Sequence, residues 1–144
     1  MNLILFGFKG AGKTYLGSRL GLPFLDTDSL FPQPPHLLYP QIGEVAFRAL
    51  ERQLISSLSL SVTDAVIALG GGAILHCPPP PGRLVYLDAP LPLILSRVAH
   101  APYPIAATYA LRKPFYDAIP AHRLDATLPE STLLTQLKAL YYGQ

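Results

Sequence analysis

Gly7 to Thr14 reads GFKGAGKT: a glycine, four free positions, then glycine, lysine and a hydroxyl residue. That spacing suits a phosphate group. Glycines at 7, 10 and 12 permit a turn that aims successive N–H groups at one anion. Lys13 brings a point charge to the β- and γ-phosphates, and Thr14 offers the kind of oxygen that Mg²⁺ takes. An apolar run precedes the motif and a short helical pattern follows, which separates a phosphate loop from a chance glycine-rich turn. Asp26 and Asp28, in LDTD, sit two residues apart. In extended chain they face the same side, where one could hold Mg²⁺ through water and the other accept a proton from a hydroxyl. A solvated loop or helix cap is the plainer reading of the pair. In Gly43 to Glu51, GEVAFRALE, helical spacing sets Glu44, Arg48 and Glu51 on one face. The Arg48 fork is then expected between two carboxylates, ready for a bidentate ligand; an ordinary charged helix face is the alternative. Gly70 to Gly72 ends an apolar run and lets a ligand approach the backbone. Arg112, in RKPFY, stands beside a proline and an aromatic pair, or is simply a surface arginine. A phosphate loop says nucleotide and leaves the reaction open.

The elements that must position these residues alternate. Asn2–Phe6 and Ala65–Leu69 are continuous apolar runs, the pattern of strands covered on both faces. Pro23–Leu25 and Arg83–Leu87 read as further strands, and Arg123–Thr127 as a weak fifth. Helices are expected over Thr14–Leu20, Gln41–Leu60, Leu91–Ala99 and Thr132–Leu140, with one or two short ones over Ile105–Ile119, broken near Pro114. In the second, Ile42, Val45, Ala46, Ala49, Leu50, Leu54 and Leu58 recur at helical spacing and predict its core face. Phe31–Pro40, with four prolines, is expected to be loop or extended chain, and Pro78–Pro81 a stiff extended loop. Alternation of this kind predicts a parallel α/β sandwich.

Composition narrows the class. The 144 residues match one domain, here residues 1–144. A formal net charge of +2 does not suggest a nucleic-acid partner. The apolar stretch around Leu54–Leu69 is interrupted by serines and Asp64, so no membrane partner is expected. One cysteine, Cys77, excludes a disulfide within the chain and fits a reducing, cytoplasmic setting. The N-terminal apolar run stops at Gly7 with no basic region before it, so no signal peptide is expected.

In order and at compatible spacing, GFKGAGKT, DTD, GEVAFRALE, LGGGA and RKPFY resemble the shikimate kinase family, over about residues 2 to 120. The resemblance implies a three-layer α/β/α phosphate-loop fold with a five-stranded parallel sheet in order 2-3-1-4-5. It implies transfer of the γ-phosphoryl of ATP to the 3-hydroxyl of shikimate, on the route to chorismate and aromatic amino acids, with Mg²⁺ as cofactor and a monomer as the working unit. Carried over residue by residue, Gly10, Ala11, Gly12, Lys13, Thr14 and Tyr15 would hold ATP, with Arg97 near adenine. Thr14 would ligate Mg²⁺ and Asp26 would hold it through water. Asp28, Arg48, Gly71 and Arg112 would bind shikimate, and Lys13 and Asp28 would be the catalytic pair.

The chain departs from the family pattern in its lid, which usually carries an arginine followed by proline. Between Arg97 and Arg112 it reads VAHAPYPIAATYAL, short and without Arg or Lys, and Pro104 falls where the arginine is expected. His100, Lys9, Arg112 and Lys113 are the nearby groups that could carry charge there. Ala101–Ala107 is expected to move and to close over nucleotide, since it lacks an apolar stripe to bury. The gap keeps two other readings open: another small-molecule or nucleotide kinase of the same fold, or a weakly active or inactive nucleotide- or shikimate-binding remnant.

Overall fold

The computed structural model describes residues 1–98, 101 and 103–143. Ala99, His100 and Pro102, on which part of the lid reading falls, lie outside the described residues. Five strands form one sheet: β1 (Leu3–Phe6), β2 (Phe24–Asp26), β3 (Val66–Ala68), β4 (Arg83–Asp88) and β5 (His122–Asp125). Their order is β2-β3-β1-β4-β5 and every pairing is parallel, as the sequence predicts. Ile4 of β1 aligns with Ile67 on one side and Leu84 on the other. All four β1 residues are buried, which is why the run carries no polar alternation. The helices are α1 (Lys13–Gly17), α2 (Pro35–Ser61), α3 (Ala73–His76), α4 (Leu91–Arg97), α5 (Ile105–Ala118) and α6 (Glu130–Tyr141). The core lies between them and the sheet, with Ile55, Ile94, Tyr116 and Leu137 among the helical residues that close it.

Several elements differ from expectation. The helix expected only from Gln41 begins at Pro35, inside the proline-rich stretch. Pro35 sits in the first turn, where a missing N–H costs nothing, and the N–H groups of Leu37 and Leu38 bond the Pro34 carbonyl at 2.9 and 3.0 Å. Leu38 anchors this turn in a small cluster with Phe31 and Phe47. At Gly43 the chain leaves helical geometry (φ 82°, ψ 169°), so α2 is two helical pieces across a kink. The buried face of the second piece is Phe47, Glu51, Ile55 and Leu58, and Val45, Ala46 and Ala49 face outward. Of the predicted core face, Leu58 is buried and Leu50 and Leu54 pack against the Phe31, Leu38 and Phe47 cluster, but apolar periodicity could not find Glu51, a carboxylate.

Helix α5 runs unbroken through Pro114. It is pinned from outside by the Tyr109 hydroxyl, which donates to the Ala89 carbonyl (3.0 Å), and by the pair of Lys113 with Asp88 (3.2 Å); within the helix Lys113 also pairs with Asp117 (3.0 Å). The polar strand β5 has no apolar pattern of its own; pairing with β4 makes it a strand, and Arg123 reaches Asp88 across the pair. The turn after Asp26 (Thr27–Leu30, a 3₁₀ turn) and α3 had no sequence signal. Among the described residues, no helix is long and apolar enough to cross a membrane.

Candidate active site

The carboxyl ends of β1, β2 and β3 open onto one cavity of about 1100 Å³, at the point where chain order in the sheet reverses. Every residue that the resemblance assigns to ATP, Mg²⁺ or shikimate lines it.

The loop after β1 is built on backbone that only glycine adopts easily. Gly7, Gly10 and Gly12 have φ of 147°, 88° and 106°. A Cβ on Gly7 would meet the Leu87 carbonyl oxygen at 2.6 Å. The Lys13 ammonium folds back onto the Gly7 carbonyl, so it is held in the loop. Burial pulls its pKa down to about 8, against the opposing pull of Asp28 and Asp26. Arg97 donates to the Gly10 carbonyl at 3.0 Å and so stands over the loop from α4. The Tyr15 ring is half exposed, with the Arg19 guanidinium 3.5 Å above it.

The two aspartates divide their work. Asp26 accepts from the Thr14 hydroxyl at 2.6 Å with one oxygen and from the Asp28 N–H at 3.0 Å with the other. It is thus the helix cap considered in the sequence and also the partner of Thr14. Asp28 faces the cavity; loss of water around its carboxyl, and then Asp26, hold its pKa above the usual carboxylate range. Thr27 between them is buried, and its hydroxyl accepts from the Gly70 N–H at 2.9 Å.

That bond brings β2 to the glycine triplet, whose purpose is space. None of the three has positive φ. A Cβ on Gly70 would collide with the Asp28 carboxylate. One on Gly71 would meet Arg112 Nη1 at 3.2 Å, and one on Gly72 would meet Arg48 Nη2 at 2.7 Å. Three successive glycines therefore each seat a different side chain of the site. The sequence reading of room for a ligand needs this addition: protein groups occupy much of that room.

Arg48 is held by one carboxylate and not two. Its Nη1 bonds Glu51 at 2.8 Å, whereas Glu44 is exposed and makes no ion pair among the described residues. The i,i+4 spacing was right, but the kink at Gly43 begins the helix only at Glu44, and its side chain points to solvent. Glu51 is 3% exposed and also accepts from the Cys77 thiol at 3.5 Å. Burial, then Glu51, pushes that thiol up to about 12, which makes it a donor and not a nucleophile. Arg48 Nε is buried with no protein partner. Arg112 makes no ion pair among the described residues; it lies 5.8 Å from the Phe8 ring centre and 5.6 Å from that of Tyr103. The cavity therefore holds two guanidinium groups with donors to spare.

Three other observations correct the sequence reading. Lys113 is engaged by Asp88 and Asp117 and is not free to replace a lid cation. Tyr103 and Ile105 are half-buried against the core, so Ala101–Ala107 does have apolar side chains to bury. Tyr39 and His36, from the unforeseen first turns of α2, also line the cavity, with the Tyr39 ring 5.2 Å from that of Phe47.

A family model described as shikimate kinase matches residues 9–137. The shikimate kinase of Salinibacter ruber is 38% identical over 111 residues, covering 68% of this chain and 54% of that protein. That of Helicobacter hepaticus is 38% identical over 106 residues, covering 67% and 64%. The chain thus spans just over half to just under two thirds of the length of these curated relatives. Shikimate kinase from Acinetobacter baumannii, solved in complex with shikimate, superposes with a TM-score of 0.79 at 26% identity, covering 98% of this chain and 92% of that one. The Bacteroides thetaiotaomicron shikimate kinase structure shares the fold, with a TM-score of 0.80 at 23% identity. The site geometry and these likenesses agree: the chain belongs to the shikimate kinase family.

Proposed function

We propose that this chain transfers the γ-phosphoryl group of ATP to the 3-hydroxyl of shikimate, giving ADP and shikimate 3-phosphate. The observation that carries this reading is the triplet Gly70–Gly72, which seats Asp28, Arg112 and Arg48 side by side in the cavity that also holds the phosphate loop. Two arginine forks fit one small carboxylate better than ammonium groups would. An adjacent carboxylate fits a ring hydroxyl.

In this reading Gly10–Tyr15 and Lys13 bind the ATP phosphates, and Arg97 borders the adenine end. Arg48 and Arg112 orient shikimate by its carboxylate, with the Gly71 backbone alongside. Asp28 accepts the proton of the 3-hydroxyl as its oxygen bonds the γ-phosphorus and the bond to the β,γ-bridging oxygen breaks. Its raised pKa makes it a better proton acceptor than an ordinary carboxylate. Lys13, with its pKa near 8, is mostly protonated at pH 7 and faces the charge that moves to the leaving oxygen.

Thr14 and Asp26, a hydroxyl and a carboxylate 2.6 Å apart, are hard oxygen donors of the type that Mg²⁺ takes, with phosphate and water completing its shell. When bound, Mg²⁺ would neutralise phosphate charge. Lys9, which lines the cavity and makes no ion pair among the described residues, is the remaining cation free to face the transferring group. The reading takes residues 1–144 as one kinase unit, monomeric and cytoplasmic, where a lone buried thiol stays reduced.

A coupled ADP-release assay tests it. ADP should form with ATP, Mg²⁺ and shikimate, and not with a panel of nucleoside monophosphates or gluconate. Turnover of any of these in place of shikimate would overturn the reading.

A further inference from the structure

The two guanidinium groups that face each other across the glycine triplet come from different parts of the fold and are restrained very differently. Arg48 stands on α2 and is fixed by its bond to buried Glu51. Arg112 stands on α5 and makes no ion pair among the described residues; it is bordered by the Phe8 and Tyr103 rings, by Gly71, and by the Tyr103 and Tyr116 hydroxyls, all of them uncharged groups. Its distance from Arg48 therefore depends on where α5 sits. Helix α5 is locally weak at that point, because Pro114, two residues on, cannot donate the bond that would close on the Ala110 carbonyl.

One turn after Arg112, Tyr116 supplies an anchor. It is 1% exposed, and its ring packs on Phe6 (centres 6.0 Å apart) and Tyr86 (5.8 Å) beneath the sheet's carboxyl end. Its hydroxyl donates to the Gly71 carbonyl. Among the described hydrogen bonds, this is the one that joins α5 to the glycine triplet. The Gly71 carbonyl belongs to the peptide unit between Gly71 and Gly72, whose α-carbons face Arg112 and Arg48 respectively. Burial pushes the phenol up to about 12, with Arg112 pulling the other way, so the hydroxyl remains a donor through any ordinary assay pH.

We infer that Tyr116 is a positioning residue for the substrate subsite: by clamping the Gly71 carbonyl it sets the spacing between Arg112 and Arg48, and with it the fit of a carboxylate between them. The inference rests on the proposed reading for the identity of that carboxylate, and on the geometry alone for the clamp. A purely structural tyrosine would affect both substrates alike. A clamp at this point affects the acceptor and spares the nucleotide, which is bound by a different loop.

The test is Tyr116→Phe, which keeps the ring and deletes one hydroxyl. The shikimate KM should rise about tenfold, as expected for loss of one buried hydrogen bond that aligns two charged ones. The ATP KM should stay within about twofold and kcat within about threefold, because the clamp acts on binding. Combined with Arg112→Ala, the two losses should be clearly less than additive. In the substrate-free protein, amide hydrogen exchange at Gly71 and Gly72 should speed up in Tyr116→Phe. In the wild type, the Tyr116 hydroxyl proton should give a slowly exchanging resonance with a cross-peak to the Gly72 amide.

An unchanged shikimate KM in a folded Tyr116→Phe variant overturns the inference, as does an equal rise in both KM values. So does the absence of the protected hydroxyl proton, a measurement that needs no variant to fold. If the wild type fails to phosphorylate shikimate at all, the functional reading falls. The exchange and hydroxyl-proton measurements, which need no substrate, then decide the clamp by themselves.

Discussion

Gly72→Ala adds one methyl group at the point where the backbone meets Arg48. Gly72 has φ −98° and ψ −5°, a conformation that alanine adopts without strain. Its cost is therefore one of space. The new Cβ would lie 2.7 Å from Arg48 Nη2 and 3.0 Å from Nη1. To reach ordinary contact at 3.4 Å the guanidinium must withdraw by about 0.7 Å. A shift of that size can stretch the 2.8 Å bond to Glu51 toward 3.5 Å, beyond useful hydrogen-bond length. An arginine–carboxylate contact is worth about 1.5–3 kcal/mol, so the shikimate KM should rise about 10- to 150-fold. The ATP KM should not move. Stability should fall as well, by about 1.5–3 kcal/mol, since the stretched bond holds buried Glu51 in the free protein and alanine is a poorer cap than glycine for the short α3. The assay is steady-state kinetics in both substrates, with a thermal melt beside it. A double-mutant cycle makes the test specific: once Arg48 is replaced by alanine, Gly72→Ala should add nothing further to KM. A shikimate KM within twofold of wild type, or a full additional loss in the double variant, would refute the steric argument.

Asp28→Asn should lower kcat by at least about a hundredfold, because an amide cannot accept the hydroxyl proton. The folded-state pKa of Asp28 is raised, so wild-type stability falls as pH rises from the ordinary carboxylate value up through the raised one. The asparagine variant should lack that fall and melt no lower at pH 7; melts at pH 3 to 7 decide it. Lys13 has the opposite linkage. Its pKa is lowered from 10.5 to about 8, so the charged form is carried at a cost below pH 8 and the free protein gains stability between about pH 8 and 10.5. Bound phosphates should restore the charge, so ATP affinity should fall about tenfold between pH 7 and 9 with uptake of close to one proton. Calorimetry in buffers of different ionisation enthalpy measures this; a pH-independent affinity would count against it. Glu51→Gln should raise the shikimate KM more than tenfold by freeing Arg48. It should also bring the Cys77 thiol down from its raised value, seen as faster maleimide labelling at pH 8.

The phosphate half of this site was legible because it is local. Gly7 to Thr14 form their own turn, and the backbone that demands glycine at 7, 10 and 12 is set within the motif. The strands followed from the apolar runs, and their order in the sheet from the family resemblance alone. The acceptor half was legible as residue types but not as an arrangement. Nothing local tells that Gly70, Gly71 and Gly72 seat Asp28, Arg112 and Arg48, since those side chains arrive from three other elements. Helical spacing paired Glu51 with Arg48 but did not reveal its burial, because burial of a carboxylate depends on partners, here Arg48 and Cys77, that the sequence does not rank. The prolines misled in two places. Pro35 starts a helix and Pro114 sits within one, because Leu38 in the first case and the anchors of α5 in the second outweigh the local preference.

The charge around the cavity bears on the missing lid arginine. Among the described lining residues, Lys9, Lys13, Arg48, Arg97 and Arg112 stand against Asp26, Asp28, Glu51 and Glu130. That excess is a single positive charge, whereas ATP and a carboxylate acceptor together bring several negative ones. Three of the cations already have partners within the protein, Arg48 in Glu51, Arg97 in the Gly10 carbonyl and Lys13 in the Gly7 carbonyl. In the proposed reading, most of the compensating charge would then come from Mg²⁺ beside Thr14 and Asp26, with Lys13 as the main side-chain contributor. A family member with a lid arginine spreads that load over one more group. Here the same load falls on Lys13, whose own charge is weakened by burial. The proton on Lys13 is therefore the point at which the short lid should show itself: in the pH range above 8, where that proton is lost, this chain has no lid arginine to compensate.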